Sequence, residues 1–98
     1  MKLRVIYNTR LVRKGYSAWV LYPFIFFRQK QEAVSDSLFR HEMEHVYQVM
    51  RMGWWTFYFK YLYYLWKLDY DDIPFEMAAH AMQDLVLTPT ERRFKDKL

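Results

Sequence analysis

Leu3, Val5 and Tyr7 alternate with Arg4, Ile6 and Asn8. That period of two predicts a first strand from about Lys2 to Tyr7. A polar connection follows from Asn8 to Gly15. From Ser17 to Phe27 the residues are mostly β-branched or aromatic, with Pro23 in their midst. Proline has no N–H to give to a central ladder, so it divides the stretch into two short strands or one bent edge strand. Gln29 to Ala33 reads as a polar turn. The strands together occupy about residues 2–28 and are expected to pair antiparallel.

The period then changes. Ser35-Asp36-Ser37 supplies an N-cap, and Leu38, His41, His45, Val49 and Met52 recur at spacings of three and four. These predict a helix over about 36–52, stopped by Gly53. A second helix is expected from Trp54 to about Leu68, with Lys60 and Lys67 seven apart on its wet side. Asp69 to Ile73 is the link. Pro74 suits the first turn of a third helix over about 74–87, with Asp71 or Asp72 near its cap. Thr88-Pro89-Thr90 ends it, and the charged tail from Glu91 forms one more turn or frays. Strands first and helices after make an α+β domain, and 98 residues make a single one.

Composition narrows the chemistry. The chain has no cysteine, which removes disulfides, thiolate metal sites and cysteine nucleophiles together. With two glycines and no GxGxxG or GxxxxGK, it carries no phosphate cradle. The net charge is +4, but the basic residues are scattered, so no nucleic-acid partner is expected. The N-terminus lacks the apolar stretch of a signal peptide. The longest uncharged run, Gly15 to Phe27, is too short to span a bilayer. A soluble, cytoplasmic protein is the expectation.

The chemistry concentrates in His41-Glu42-Met43-Glu44-His45, an HExxH sequence inside the predicted helix. Residues four apart project to one spot a turn apart, so the two imidazoles can share a metal ion. Glu42, about 100° round the helix from His41, is badly placed as a ligand but well placed to take a proton from water. A shuffled chain of this composition is expected to hold about 0.005 such matches, so coincidence is a weak explanation. The plainer reading makes His41 and His45 polar residues of an exposed face, with Glu44 paired to Arg40. Against it, they share a stripe with Leu38, Val49 and Met52, and unpaired imidazoles on a buried face would be costly.

A catalytic zinc takes three protein ligands and keeps a fourth position open. His45 is followed by Val46-Tyr47-Gln48-Val49, so the elongated HExxHxxGxxH form is absent. Downstream candidates are Glu76, His80, Asp84 and the link acids Asp69, Asp71 and Asp72. Glu76 stands in an apolar segment where a carboxylate needs a partner, although a first-turn acid is also favoured by the helix dipole alone. His80, four residues on, faces the same way as a neighbouring group, a substrate hydrogen-bond donor or an alternative ligand.

The run Ser35 to Asp84 resembles a small single-domain zinc metallopeptidase of the minimal zincin, gluzincin type, as found in uncharacterised bacterial and phage proteins. The likeness rests on Tyr22-Pro23-Phe24-Ile25-Phe26-Phe27, on the helix Leu38 to Gln48, and on Ile73-Pro74-Phe75-Glu76-Met77-Ala78-Ala79-His80, which is similar to an N-P-F-E-x-E-A-Y pattern. The resemblance implies that His41, His45 and Glu76 bind Zn2+ and that Glu42 is the general base. Ala78 stands where the pattern has an acid, leaving Glu76 without a competitor, and His80 where it has a tyrosine. His80, or a tyrosine such as Tyr47, is then the expected catalytic donor to the oxyanion.

A chain this short lacks a second lobe, so the substrate, a peptide or protein, is expected in an open groove along an edge strand. The alternative is a catalytically inactive, zinc-stabilised interaction or membrane-surface module. The helix Trp54 to Leu68 carries rings on nearly every side. It reads first as a core helix packed on the HExxH helix and the sheet. The other readings are an interfacial membrane helix or a homodimer surface.

Overall fold

A computed structural model describes residues 3–12, 16–69 and 72–96. The expected strand start at Lys2, the end of the connection at Gly15 and Asp71 as cap or ligand lie outside the described residues. Three strands, β1 (Arg4–Ile6), β2 (Ala18–Leu21) and β3 (Phe24–Phe27), precede four α-helices: α1 (Asp36–Met52), α2 (Trp54–Lys67), α3 (Pro74–Met82) and α4 (Pro89–Asp96). The α+β arrangement is as the sequence implies. A 3-10 turn over Gln31–Ala33 fills the expected polar turn.

The strand order is β1-β3-β2, and the sheet is mixed rather than antiparallel. β2 and β3 form a hairpin across Tyr22-Pro23, pairing Leu21 with Phe24 and Ala18 with Phe27. β1 pairs parallel with β3, Val5 opposite Ile25. The reason lies in β3. Its four residues Phe-Ile-Phe-Phe are apolar on both faces and three of them are buried, which suits a strand with a neighbour on each side. The connection after β1 carries the chain past β3, so β2 becomes an edge. Ile25, Val5 and Val20 join Phe27, Phe39, Met43 and Val46 in the core beneath α1. On the other face Trp19 stacks on Phe26 at 5.3 Å between ring centres.

Ser35 caps α1, its hydroxyl accepting from the Leu38 N–H at 3.0 Å. Gly53 alone links α1 to α2, at φ 87°, a backbone state that side chains with a Cβ rarely adopt. From Phe39 to Val46 every residue of α1 is buried, polar ones included, because the sheet and the other helices surround it. α2 is different. Phe57 is its one buried residue, so the core role expected for the whole aromatic helix holds only for a narrow strip.

The third helix stops at Met82, not near Leu87. Residues 83–88 leave the helix so that Leu87 can turn into the core, and Thr88 starts α4. The Glu91 N–H donates to Thr88 Oγ1 at 3.2 Å and the Thr88 N–H donates to Glu91 Oε1 at 2.9 Å. That reciprocal pair is a capping box, with Pro89 at the first helical position. Among the described residues no helix is long and apolar enough to cross a membrane.

Asp36 ties the two ends of the helical layer together. Its carboxylate accepts from Arg92 at 2.6 Å and Lys95 at 2.7 Å. These bonds hold its pKa at about 2, below its ordinary 3.8. A depressed carboxylate stabilises the fold above its unfolded pKa and loses that effect as pH falls through the folded one. Asp36→Asn is therefore expected to lower the thermal midpoint slightly at pH 7. Because the pair is exposed and screened, the difference should be small, and it should vanish in melts taken down to about pH 2.

Candidate metal centre

α1 supplies the imidazoles and α3 the carboxylate. His41 and His45 lie one turn apart, 8% and 5% exposed, and Glu76 faces them at 1%. His41 Nε2 is 3.0 Å and His45 Nε2 is 3.1 Å from the same atom, Glu76 Oε1. Pro74 begins α3 two residues before Glu76, so the carboxylate emerges from the helix's first turn directly over α1. Glu42 is buried beside them, and its carboxylate joins the two histidines in a buried group that could hold a metal ion, ligand atoms within 4.8 Å of one another.

The outer contacts decide which ring nitrogen is which. His45 Nδ1 is 3.0 Å from Gln48 Oε1. The Gln48 amide is oriented from its other end, where Nε2 donates to the Phe75 carbonyl at 3.1 Å. Gln48 thus presents an acceptor to His45, and Nδ1 must carry the proton. In a neutral ring Nε2 then holds a lone pair aimed at a carboxylate oxygen. Two electron-rich atoms at 3.1 Å need a positive charge on or between them. His41 Nδ1 lies 3.1 Å from Gln83 Oε1.

The electrostatics agree. Burial works against a charged His45, but the hydrogen bond to Glu76 and the charges of Glu42 and Glu76 outweigh it and push its pKa up to about 9. His41 is likewise raised, burial being overcome by Glu76 and then Glu42. Burial would raise Glu76, but hydrogen bonds from both histidines and from Tyr61 hold it well below the carboxylate range. Glu42 is raised, chiefly by burial, against the pull of His45 and His41. Buried imidazoles drawn toward the charged form by carboxylates make a group that could hold a cation.

α2 completes the centre from above. The Tyr61 hydroxyl donates to Glu76 Oε2, leaving Oε1 to the imidazoles. Phe57 and Tyr61 pack against His45 at 6.4 and 6.3 Å between ring centres. A cavity of about 470 Å3 opens between α2 and β2, lined by Ala18, Val20, Leu62 and Leu65, with Glu42, His45 and Glu76 at its floor. A second, of about 360 Å3, lies on the other side of Glu42, between Ala18, His80 and Gln83.

His41, His45, Glu42 and Glu76 thus lie together at one place. His80 does not join them: it stands exposed on α3 with its ring edge-on to His41, 4.9 Å between centres, at the rim of the second cavity. Asp69, Asp72 and Asp84 are exposed and make no contact with the cluster among the described residues. Tyr47 is unavailable as an oxyanion donor, because its hydroxyl donates to Glu91 on α4. Glu44, expected as a partner of Arg40, does pair with it at 3.4 Å, and also with Arg51 at 3.2 Å.

Gln48, Gln83 and Tyr61 are absent from the sequence-based candidates. Gln48 had a signal, standing three residues after His45 and seven after His41 on one helical face. Tyr61 had none, being one ring among many, and Gln83 fell inside a helix expected to continue. No model of a known protein family, no curated protein and no solved structure matches this chain.

Proposed function

We propose that the protein is a zinc-dependent metallopeptidase of the minimal zincin type. The observation that carries this reading is the convergence of two Nε2 atoms on one buried carboxylate oxygen, with the His45 tautomer set by Gln48. Two donors each about 2.0 Å from a tetrahedral ion lie about 3.3 Å apart. The N···O separations of 3.0 and 3.1 Å are close to that edge, so His41, His45 and Glu76 fit as ligands. A protonated Nδ1 bonded outward to an amide oxygen is the arrangement a metal-ligating imidazole needs. Three ligands leave one position open, which is the pattern of a catalytic rather than a structural zinc.

When bound, the ion would supply Lewis acidity that activates water and polarises a peptide carbonyl. Glu42 does the proton work: its carboxylate lines both cavities, takes a proton from water and passes it to the leaving amine. Burial raises its proton affinity toward that task. His80, at the rim, serves as the hydrogen-bond donor to the developing oxyanion.

The groove favours an extended substrate. β2 is an edge strand, and the pairing of Leu21 with Phe24 turns the polar groups of Val20 and Tyr22 away from β3. Tyr58 covers that end, its hydroxyl donating to the Val20 carbonyl at 2.8 Å and accepting the Tyr22 N–H at 3.0 Å. Strand addition is left to the Ala18 end, which is the end beside Glu42.

The test is the metal content of the purified protein by elemental mass spectrometry. One zinc per chain is expected for the wild type and none for His41→Ala. Gln48→Leu should keep the ligands but weaken zinc binding by roughly 10- to 100-fold in chelator competition. Wild-type protein that takes up no zinc would end the reading.

A further inference from the structure

α2 has two faces with opposite fates. One places Phe57 and Tyr61 against the candidate metal centre. On the other, Trp55, Phe59, Leu62 and Trp66 follow one another at spacings of four, three and four, which is a single stripe on an α-helix, with Leu62 at the edge where the stripe meets the first cavity. They are 69, 65, 61 and 78% exposed. So large a run of exposed apolar side chains marks a surface that meets something other than water.

Charge selects the partner. α2 contains no acidic residue. The stripe adjacent to the apolar one is Thr56, Lys60, Tyr63 and Lys67, again spaced four, three and four, and it carries both lysines on exposed positions. The Lys67 ammonium lies over the Trp66 ring, 4.5 Å from its centre. The nearest acid along the chain, Asp69, is past the helix's C-terminal end. A second copy docked on the same stripe would bring four lysines together with no carboxylate on either helix to pair them. An anionic lipid surface meets both features, taking the rings at headgroup depth and the lysines at the phosphates.

We infer that α2 is an interfacial helix that lays its Trp55–Phe59–Leu62–Trp66 stripe on an anionic membrane surface. Lying flat, its 14 residues reach about 21 Å along the surface, and the metal centre is held directly behind them. This inference does not require the centre to be hydrolytic.

The full chain should co-sediment with vesicles of phosphatidylcholine containing one-third phosphatidylglycerol, with a blue shift of tryptophan emission, and only weakly with phosphatidylcholine alone. Removing one charge, as in Lys60→Gln or Lys67→Gln, should cost roughly five-fold in partitioning onto the anionic vesicles, and added salt should weaken binding further. The double variant Trp55→Ser, Trp66→Ser should abolish binding with an unchanged circular dichroism spectrum, since both rings are exposed. Wild-type protein that ignores anionic vesicles, or a double variant that binds as well as wild type, would overturn the inference. So would a wild-type dimer that binds no vesicles and that the double variant turns into a monomer, because the stripe would then be covered by a second copy.

Discussion

Glu42→Gln should reduce peptide cleavage at least 100-fold and leave one zinc per chain. General base catalysis typically contributes about 10²–10⁴-fold, and the amide keeps the shape of the carboxylate without its ability to accept a proton. The separation of the two readouts matters. Glu42 lies a turn position away from the His41–His45 stripe, and its carboxylate opens on both cavities, whereas Glu76 makes the close contacts with the imidazoles. Cleavage of a mixed peptide library, followed by mass spectrometry, and zinc content of the same preparation check both halves. If the variant still cleaves, Glu42 is not the base. If it loses zinc, Glu42 is a ligand and the roles of the two glutamates must be exchanged. If zinc-loaded wild type cleaves no peptide at all, the centre belongs to a metal-stabilised interaction module.

The second large effect is on stability. Zinc added to chelator-stripped protein should raise the thermal midpoint, because an ion bound only by the folded state stabilises it in proportion to the logarithm of its concentration. At a free concentration 1,000 times the dissociation constant the gain is about 4 kcal/mol. For a domain of this size that is a rise of well over ten degrees. Glu76→Ala should lose most of it, because this is the carboxylate that α3 sets against both imidazoles. Calorimetric scans of both proteins, with and without zinc, make the comparison. An equal rise in the variant would show that the ion binds elsewhere.

The pattern along the chain marks strands and helices wherever the signal is local. Ser35, the three-and-four spacing through α1 and Gly53 mark that helix from end to end, and the observed bounds are the expected ones. Pro74 marks the start of α3 in the same way. The failures have local causes too. Thr88-Pro89-Thr90-Glu91 is a capping box with proline at the first helical position, a start signal, and reading it only as the end of α3 lengthened that helix by five residues. The order of the sheet has a different cause. The alternation of Leu3, Val5 and Tyr7 says that a strand is present and nothing about which neighbour it takes. Only the burial of β3 on both faces puts that strand in the middle.

The candidate centre divides along the same line. That His41 and His45 point to one place, with Glu42 beside them, is a property of 3.6 residues per turn and needs no knowledge of the rest of the chain. Which carboxylate closes the site is not. Glu76 stands 35 and 31 residues from the two imidazoles, and it reaches them because α3 packs across α1. Tyr61 arrives on a third helix, and Gln83 through a turn where a helix was expected. The rings of α2 looked alike along the chain, yet tertiary packing sends Phe57 inward and leaves Trp55 and Trp66 in the open. Spacing decides what one helix can offer, because neighbours a turn apart are bound to share a face. Packing decides what meets that offer, because contacts between distant segments depend on the shapes and buried areas of whole elements.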